Sequence, residues 1–134
     1  MTDQEKLEYS QMEPGYEFPK SRFELTPETV ARYIKAVGET SKLYHDTRLV
    51  PPSAVAAYAQ AALMKHISLV PGSIHVSQEL EFLDSVNTDD TITIRARVGR
   101  KQERSGMRLL AIAIEVFNQH ASPVMKGKIS FILP

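Results

Sequence analysis

The pattern of apolar and polar positions changes character near residue 73. Upstream, apolar residues recur at intervals close to helical; downstream they alternate with polar ones, the period of strands with one buried face. Arg22-Phe23-Glu24-Leu25 is a short alternating segment that leads into Thr26-Pro27-Glu28. A threonine hydroxyl followed by proline at the first helical position marks a helix start, and Gly38 is placed to end it. Between them Val30, Ile34 and Val37 share a face with Tyr33 beside them, while Glu28, Arg32 and Lys35 point away, so a short amphipathic helix is expected. A second helix, from Ser53 to about Leu69, is apolar all round, with Ala54, Val55, Ala56, Ala59 and Leu63 among its members. Such a helix is expected to be buried, and its alanines make it thin enough for a sheet to pass close by. Pro51-Pro52 and Pro71-Gly72 fix its ends.

Four strands follow. In the first, Ile74, Val76, Leu80 and Phe82 alternate with His75, Ser77, Glu79 and Glu81, the apolar set facing inward. Ile92 to Val98, Leu110 to Val116 and Met125 to Leu133 continue the pattern. The turns at Asn87-Thr88-Asp89-Asp90, Ser105-Gly106 and Asn118 to Pro123 are short enough for antiparallel hairpins. A buried helix followed by an antiparallel meander predicts an α+β fold with the sheet curled around the helix. Residues 1–15 are polar and aperiodic, and read as a flexible arm ordered only where something covers it; residues 16–134 read as one domain.

Composition narrows the function classes. Lys plus Arg and Asp plus Glu number 16 each, so no net field draws the chain to nucleic acid or an anionic membrane. The expected partners are small molecules and proteins. With no cysteine, disulfides and thiolate metal sites are excluded, and His66, His75 and His120 have no metal-ligand spacing, so no metal is expected. The N-terminal residues are charged, and no run of about 18 apolar residues occurs, which predicts a soluble cytoplasmic protein.

The order of elements is similar to that of the hot-dog fold. Three local stretches extend the likeness. Residues 36–46, Ala-Val-Gly-Glu-Thr-Ser-Lys-Leu-Tyr-His-Asp, resemble the hydratase segment A-x-x-G-D-x-N-P-[LI]-[HY]-x-D of MaoC-like hydratases and dehydratases. Residues 74–86 resemble the long strand of that family, including its glutamine at Gln78 and its F-x-x-P-V ending, with Ser85 where the pattern has proline. Val50-Pro51-Pro52-Ser53 is similar to the A-P-P-T that opens the long helix in the fatty-acid-synthase-like branch. The likeness spans residues 16–134.

What the resemblance implies is an (R)-specific enoyl-thioester hydratase or 3-hydroxyacyl-thioester dehydratase, acting on acyl-CoA or acyl carrier protein with no cofactor beyond that thioester. Such a reaction needs a base for water, an acid for the α-carbon and donors for the enolate-like oxygen. The family supplies them from an aspartate, a histidine five positions later, and a backbone N–H at the start of the long helix. In this chain Glu39 holds the aspartate position and Tyr44 that of the histidine, with His45 one residue beyond. Glutamate reaches a methylene further, and a tyrosine with an unperturbed pKa of about 10 is a poor base at neutral pH. Pro51 and Pro52 have no N–H to offer an oxyanion, which leaves the Ser53 N–H and hydroxyl as substitutes. Two readings follow: an enzyme using Glu39 and His45 with Tyr44 or Ser53 assisting, or a non-catalytic subunit that shapes the acyl pocket of a heteromeric dehydratase. A thioesterase on the same fold is a third.

Other residues admit a structural reading beside a functional one. Tyr58, Leu63 and Met64 fit core packing or the wall of an acyl tunnel, and Gln78 either ties its strand to the helix or contacts substrate. His75 falls on the polar face of its strand, solvated or hydrogen-bonded, and is a candidate substrate contact. His66 is placed as a favourable charge at the end of the long helix. Arg95, Arg97, Arg100, Lys101, Arg104 and Arg108 form either a solvated sheet face or a docking patch for coenzyme A phosphates or an acidic carrier protein. A lone hot-dog unit leaves one sheet edge and one face uncovered, so a homodimer or a heterodimer with a MaoC-like subunit is expected, with acyl sites at the boundary.

Overall fold

A computed structural model describes residues 5–134, and the start of the proposed arm, residues 1–4, lies outside them. The first regular strand, β1 (Ser21–Glu24), feeds α1 (Pro27–Val37) through the expected cap. The Thr26 hydroxyl accepts the Thr29 N–H at 3.2 Å, and Gly38 closes the helix in the left-handed region at φ 70°. Of the face read as apolar, Val30 is buried and Ile34 half-buried, whereas Val37 lies in solvent.

A single turn, α2 (Leu43–Asp46), precedes α3 (Pro52–Met64). α3 stops short of the expected Leu69, because the chain turns at Lys65 to lay Ile67 beside Leu7. Its Ala54, Val55, Ala59 and Leu63 are at most 2% exposed and join one core with the sheet. The opposite side is not buried: Ser53, Ala57 and Ala61 are exposed, so the described residues cover the all-apolar helix on one side.

The remaining strands, β2 (Ile74–Phe82), β3 (Thr91–Arg104), β4 (Met107–Phe117) and β5 (Pro123–Leu133), complete a five-stranded antiparallel sheet ordered β1-β3-β4-β5-β2. β4 is central, and its Leu110, Ile112, Ile114 and Val116 are at most 1% exposed; burying each such side chain stabilises the fold by about 1.5–3 kcal/mol. The β3–β4 turn is tight because Ser105 and Gly106 both take positive φ, 52° and 78°, which matches the twist of a two-residue hairpin. This is the hot-dog arrangement: an antiparallel sheet with an alanine-rich helix packed against one face.

Residues 5–15 lie against the chain itself. Leu7 bridges to Ile67, Tyr9–Gln11 forms a short 3-10 turn, and Met12 is fully buried, as is most of Phe18. The described part of the arm is thus covered by its own domain. It also answers the basic hairpin: Glu13 pairs with Lys101 at 3.6 Å and Tyr9 lies beneath both Lys101 and Arg108, while Glu17, just after the arm, pairs with Arg95 at 3.4 Å. No helix among the described residues is long and apolar enough to cross a membrane.

Candidate functional site

The segment Thr47 to Val50 follows α2, and sequence gives it no visible structure. It is nonetheless pinned. Leu49 bridges to Asn87, the Val50 N–H donates to the Val86 carbonyl at 2.8 Å, and the Thr88 N–H donates to the Arg48 carbonyl at 2.7 Å. The Arg48 guanidinium closes the clasp on the Thr88 carbonyl at 2.8 Å and the Asp89 carboxylate at 3.0 Å. Beside this clasp, between the start of α3 and the end of β2, lies a groove of about 290 Å³ walled mainly by Val50, Pro52, Val55, Phe82, Leu83 and Val124. Phe82 and Leu83 remain 47% and 42% exposed, so its outer wall is open in the single chain. Asp84 and Ser85 supply its polar rim, with the Ser85 N–H donating to the Asp84 carboxylate at 2.8 Å. Arg48 and Asp84 are residues that sequence reasoning missed; a charged residue directly after the apolar Phe82-Leu83 pair was the available signal.

Glu39, Tyr44 and His45 sit just upstream of this clasp. The Glu39 side chain is exposed, and its Oε1 accepts the Ser41 N–H at 2.8 Å, capping its own turn. His45 is exposed on α2, and Tyr44 is half-buried. Among the described residues no hydrogen bond joins Glu39, Tyr44 and His45 to one another, and none of the three lines the groove.

At the start of α3 the N-cap and first helical positions are Pro51 and Pro52, so the first N–H of the helix belongs to Ser53. The Ser53 hydroxyl accepts from the Tyr33 hydroxyl at 2.8 Å, which leaves its own proton free to donate outward. Tyr58 is occupied in packing: its ring stacks on Phe23 at 4.8 Å, and its hydroxyl donates to the Thr29 carbonyl at 3.3 Å. Burial, with Tyr33 nearby, pushes its pKa up.

β2 departs from the expected alternation. Its register against β5 shifts between His75 and Ser77, and the bulge reverses the phase of the strand's first residues. Ile74 and Val76 are therefore exposed, while the His75 ring lies beside Phe131 at 5.2 Å. His75 Nδ1 is 3.5 Å from the Gln60 amide of α3, so this ring, rather than Gln78, ties the strand to the helix. Gln78 is not the buried amide expected: it lies opposite Ile129 on the outermost strand and is exposed. His66 lies beyond α3 instead of capping it, 8% exposed and stacked on Phe18. Burial foremost, and then the Lys65 charge, hold its pKa below the usual histidine value. Among the described residues no three His, Asp or Glu side chains gather to hold a metal.

No curated protein matches the chain in sequence. Its fold is similar to that of an unliganded R-hydratase, PhaJ1, from Pseudomonas aeruginosa, at 20% identity and a TM-score of 0.79 over 94% of this chain and 84% of that one. The ChsH1–ChsH2 complex from Mycobacterium tuberculosis is similar at 13% identity and a TM-score of 0.75, over 90% and 98% of the two chains. The C-terminally truncated HadBC complex of the same organism, a 3R-hydroxyacyl-ACP dehydratase, is similar at 20% identity and a TM-score of 0.67, over 89% and 96%. The model of the FAS1-like dehydratase domain region matches residues 12–127. With that match covering most of the sheet and all of α1 to α3, the chain belongs to the FAS1-like dehydratase-domain family and carries its hot-dog fold.

Proposed function

We propose that this chain is the acyl-thioester-binding subunit of a two-subunit (R)-specific hydratase or 3-hydroxyacyl-thioester dehydratase, working on acyl-CoA or acyl carrier protein in the cytoplasm. The observation that carries the reading is an apolar groove at the start of α3 whose neighbouring acid–base positions are not assembled. The groove suits a fatty chain: six of its walls are hydrocarbon, and each methylene moved from water into it contributes about 0.8 kcal/mol. The Glu39 carboxylate caps its own turn, Tyr44 stands where a histidine would act, and the helix start offers one N–H, from Ser53. A general base must come within hydrogen-bond reach of its water, and a displacement of about 1 Å can cost about a hundredfold in rate. An exposed β2 and an uncovered side of α3 support a second subunit that completes the site and supplies the acid–base pair. Two of the structurally similar proteins are themselves complexes of two different chains.

One observation favours catalysis by this chain. Glu39 uses only Oε1 in its turn and the His45 ring is exposed on the same loop, so both can be turned toward a substrate. Hydration of crotonyl-CoA, followed by loss of the enoyl absorbance, separates the readings. The subunit reading expects no turnover by wild type and none by Glu39→Ala. Turnover that Glu39→Ala and His45→Ala abolish would establish the enzyme, and hydrolysis of a saturated acyl-CoA would establish a thioesterase.

A further inference from the structure

We infer that the free edge of β2 is charged against its own copy and selects a partner strand carrying cations at alternate positions of its outer face. The inference rests on the reading of the chain as one subunit of a two-subunit dehydratase. β2 is the last strand of the sheet, so among the described residues the backbone groups along its free side have no strand to pair with. Ile74, Val76 and Phe82 are exposed along it, and apolar surface of this kind on an open edge is built to be covered.

The edge is not equally regular along its length. Its ladder with β5 shifts between His75 and Ser77 and then runs without interruption from Ser77 to Phe82. Within that regular stretch Glu79 and Glu81 alternate with Leu80, and therefore share the face away from the core. Among the described residues each has its cation on the β5 side: Lys128 lies 3.5 Å from Glu79 and Lys126 lies 3.4 Å from Glu81. On this face the glutamates are thus the outermost charges of the sheet, beyond the lysines of β5.

A two-fold antiparallel pairing of the regular stretch is centred on residue 79 or on residue 80. The first centre sets Glu79 opposite Glu79 of the second copy, and the other sets Glu79 opposite Glu81 of the second copy. Either row across the joined sheets reads lysine, glutamate, glutamate, lysine, and directly opposed like charges destabilise a strand pair. Sliding the register toward Ser77 separates the carboxylates but brings the bulge into the new ladder. A strand with Lys or Arg at these places continues a row of alternating sign instead, and such charge patterns select partners by penalising the wrong one.

The test uses a charge-swapped copy of this chain, E79K/E81K/K126E/K128E, which keeps both pairs within the molecule and inverts only the sign shown at the edge. Sedimentation velocity without any thioester compares wild type alone, the swapped copy alone, and their equimolar mixture. The mixture associates at least about tenfold more tightly than either alone at low salt, and the advantage shrinks near 1 M salt, where the screening length falls to about 3 Å. E79Q/E81Q, altered only at exposed side chains, self-associates more tightly than wild type. Wild type that self-associates as tightly as the mixture, or a mixture that gains nothing, overturns the inference. Calorimetry of acyl-CoA binding on the same samples reports separately on the acyl-subunit reading: binding with failed strand selection sinks only the inference, and strand selection without acyl binding sinks only the reading.

Discussion

Replacing Gly127 with alanine tests how tightly β2 is seated. Gly127 of β5 lies between Ile114 of β4 and Leu80 of β2. A Cβ built there falls 2.5 Å from the Glu79 carbonyl oxygen and 2.7 Å from a Leu80 methyl. The methyl can rotate aside, whereas the carbonyl oxygen retreats only if the β2 backbone moves with it. Forcing one extra carbon into a filled space costs about 1–3 kcal/mol, and a backbone contact belongs at the upper end of that range. For a domain of this size the loss lowers Tm by about 3–10 °C. Gly99→Ala is the internal control, since its Cβ would meet the Ala111 carbonyl at 3.6 Å, an ordinary contact, without a left-handed backbone. Removing glycine's freedom from the unfolded chain then stabilises by about 0.4–1 kcal/mol. Urea unfolding of the three proteins, fitted with a common slope, gives the differences directly. The packing argument fails if Gly127→Ala unfolds within about 0.5 kcal/mol of wild type, or if Gly99→Ala loses as much.

Two further substitutions probe the N-terminal segment. Met12→Ala removes a fully buried side chain and should cost about 2–5 kcal/mol in urea unfolding; an unchanged midpoint would mean that residues 5–15 are no part of the core. His66→Phe keeps an aromatic ring against Phe18 but cannot take a proton. Because burial lowers the folded pKa of His66, the unfolded chain binds more protons between that value and about 6.5. The contribution of His66 is therefore complete above about pH 6.5 and is lost as pH falls from there to the folded value. The stability of wild type relative to His66→Phe should drop as pH falls below about 6.5, and a constant difference would show that the ring is solvated.

The elements that sequence revealed best are those fixed by local chemistry. Thr26, Pro27 and Gly38 bound α1 because a hydroxyl cap, a ring-locked φ and a glycine in the left-handed region act within one turn. β3, β4 and β5 were legible because alternation survives wherever one face meets the core. β2 misled because a bulge between His75 and Ser77 reverses the phase of the strand's first residues relative to the rest, and nothing local in His75-Val76-Ser77 announces it. α3 misled in a different way: an all-apolar sequence states that the helix is covered on every side, not that one chain provides the cover. The early end of α3 depends on Leu7, some sixty positions away, and so has no local signal. Glu39, Tyr44 and His45, singled out from sequence, do not line the groove; its residues come from three separated segments, and Arg48 joins them only through tertiary contacts.

The central claim, that the slot beside α3 takes a fatty chain, is tested most directly by calorimetric titration of the purified chain with coenzyme A, butyryl-CoA, hexanoyl-CoA and octanoyl-CoA. If hydrocarbon enters the groove, affinity rises with each added pair of methylenes, by an amount approaching about 0.8 kcal/mol per methylene, and Val55→Phe removes the dependence by filling the wall. Equal affinity for the free coenzyme and for every acyl length would contradict it.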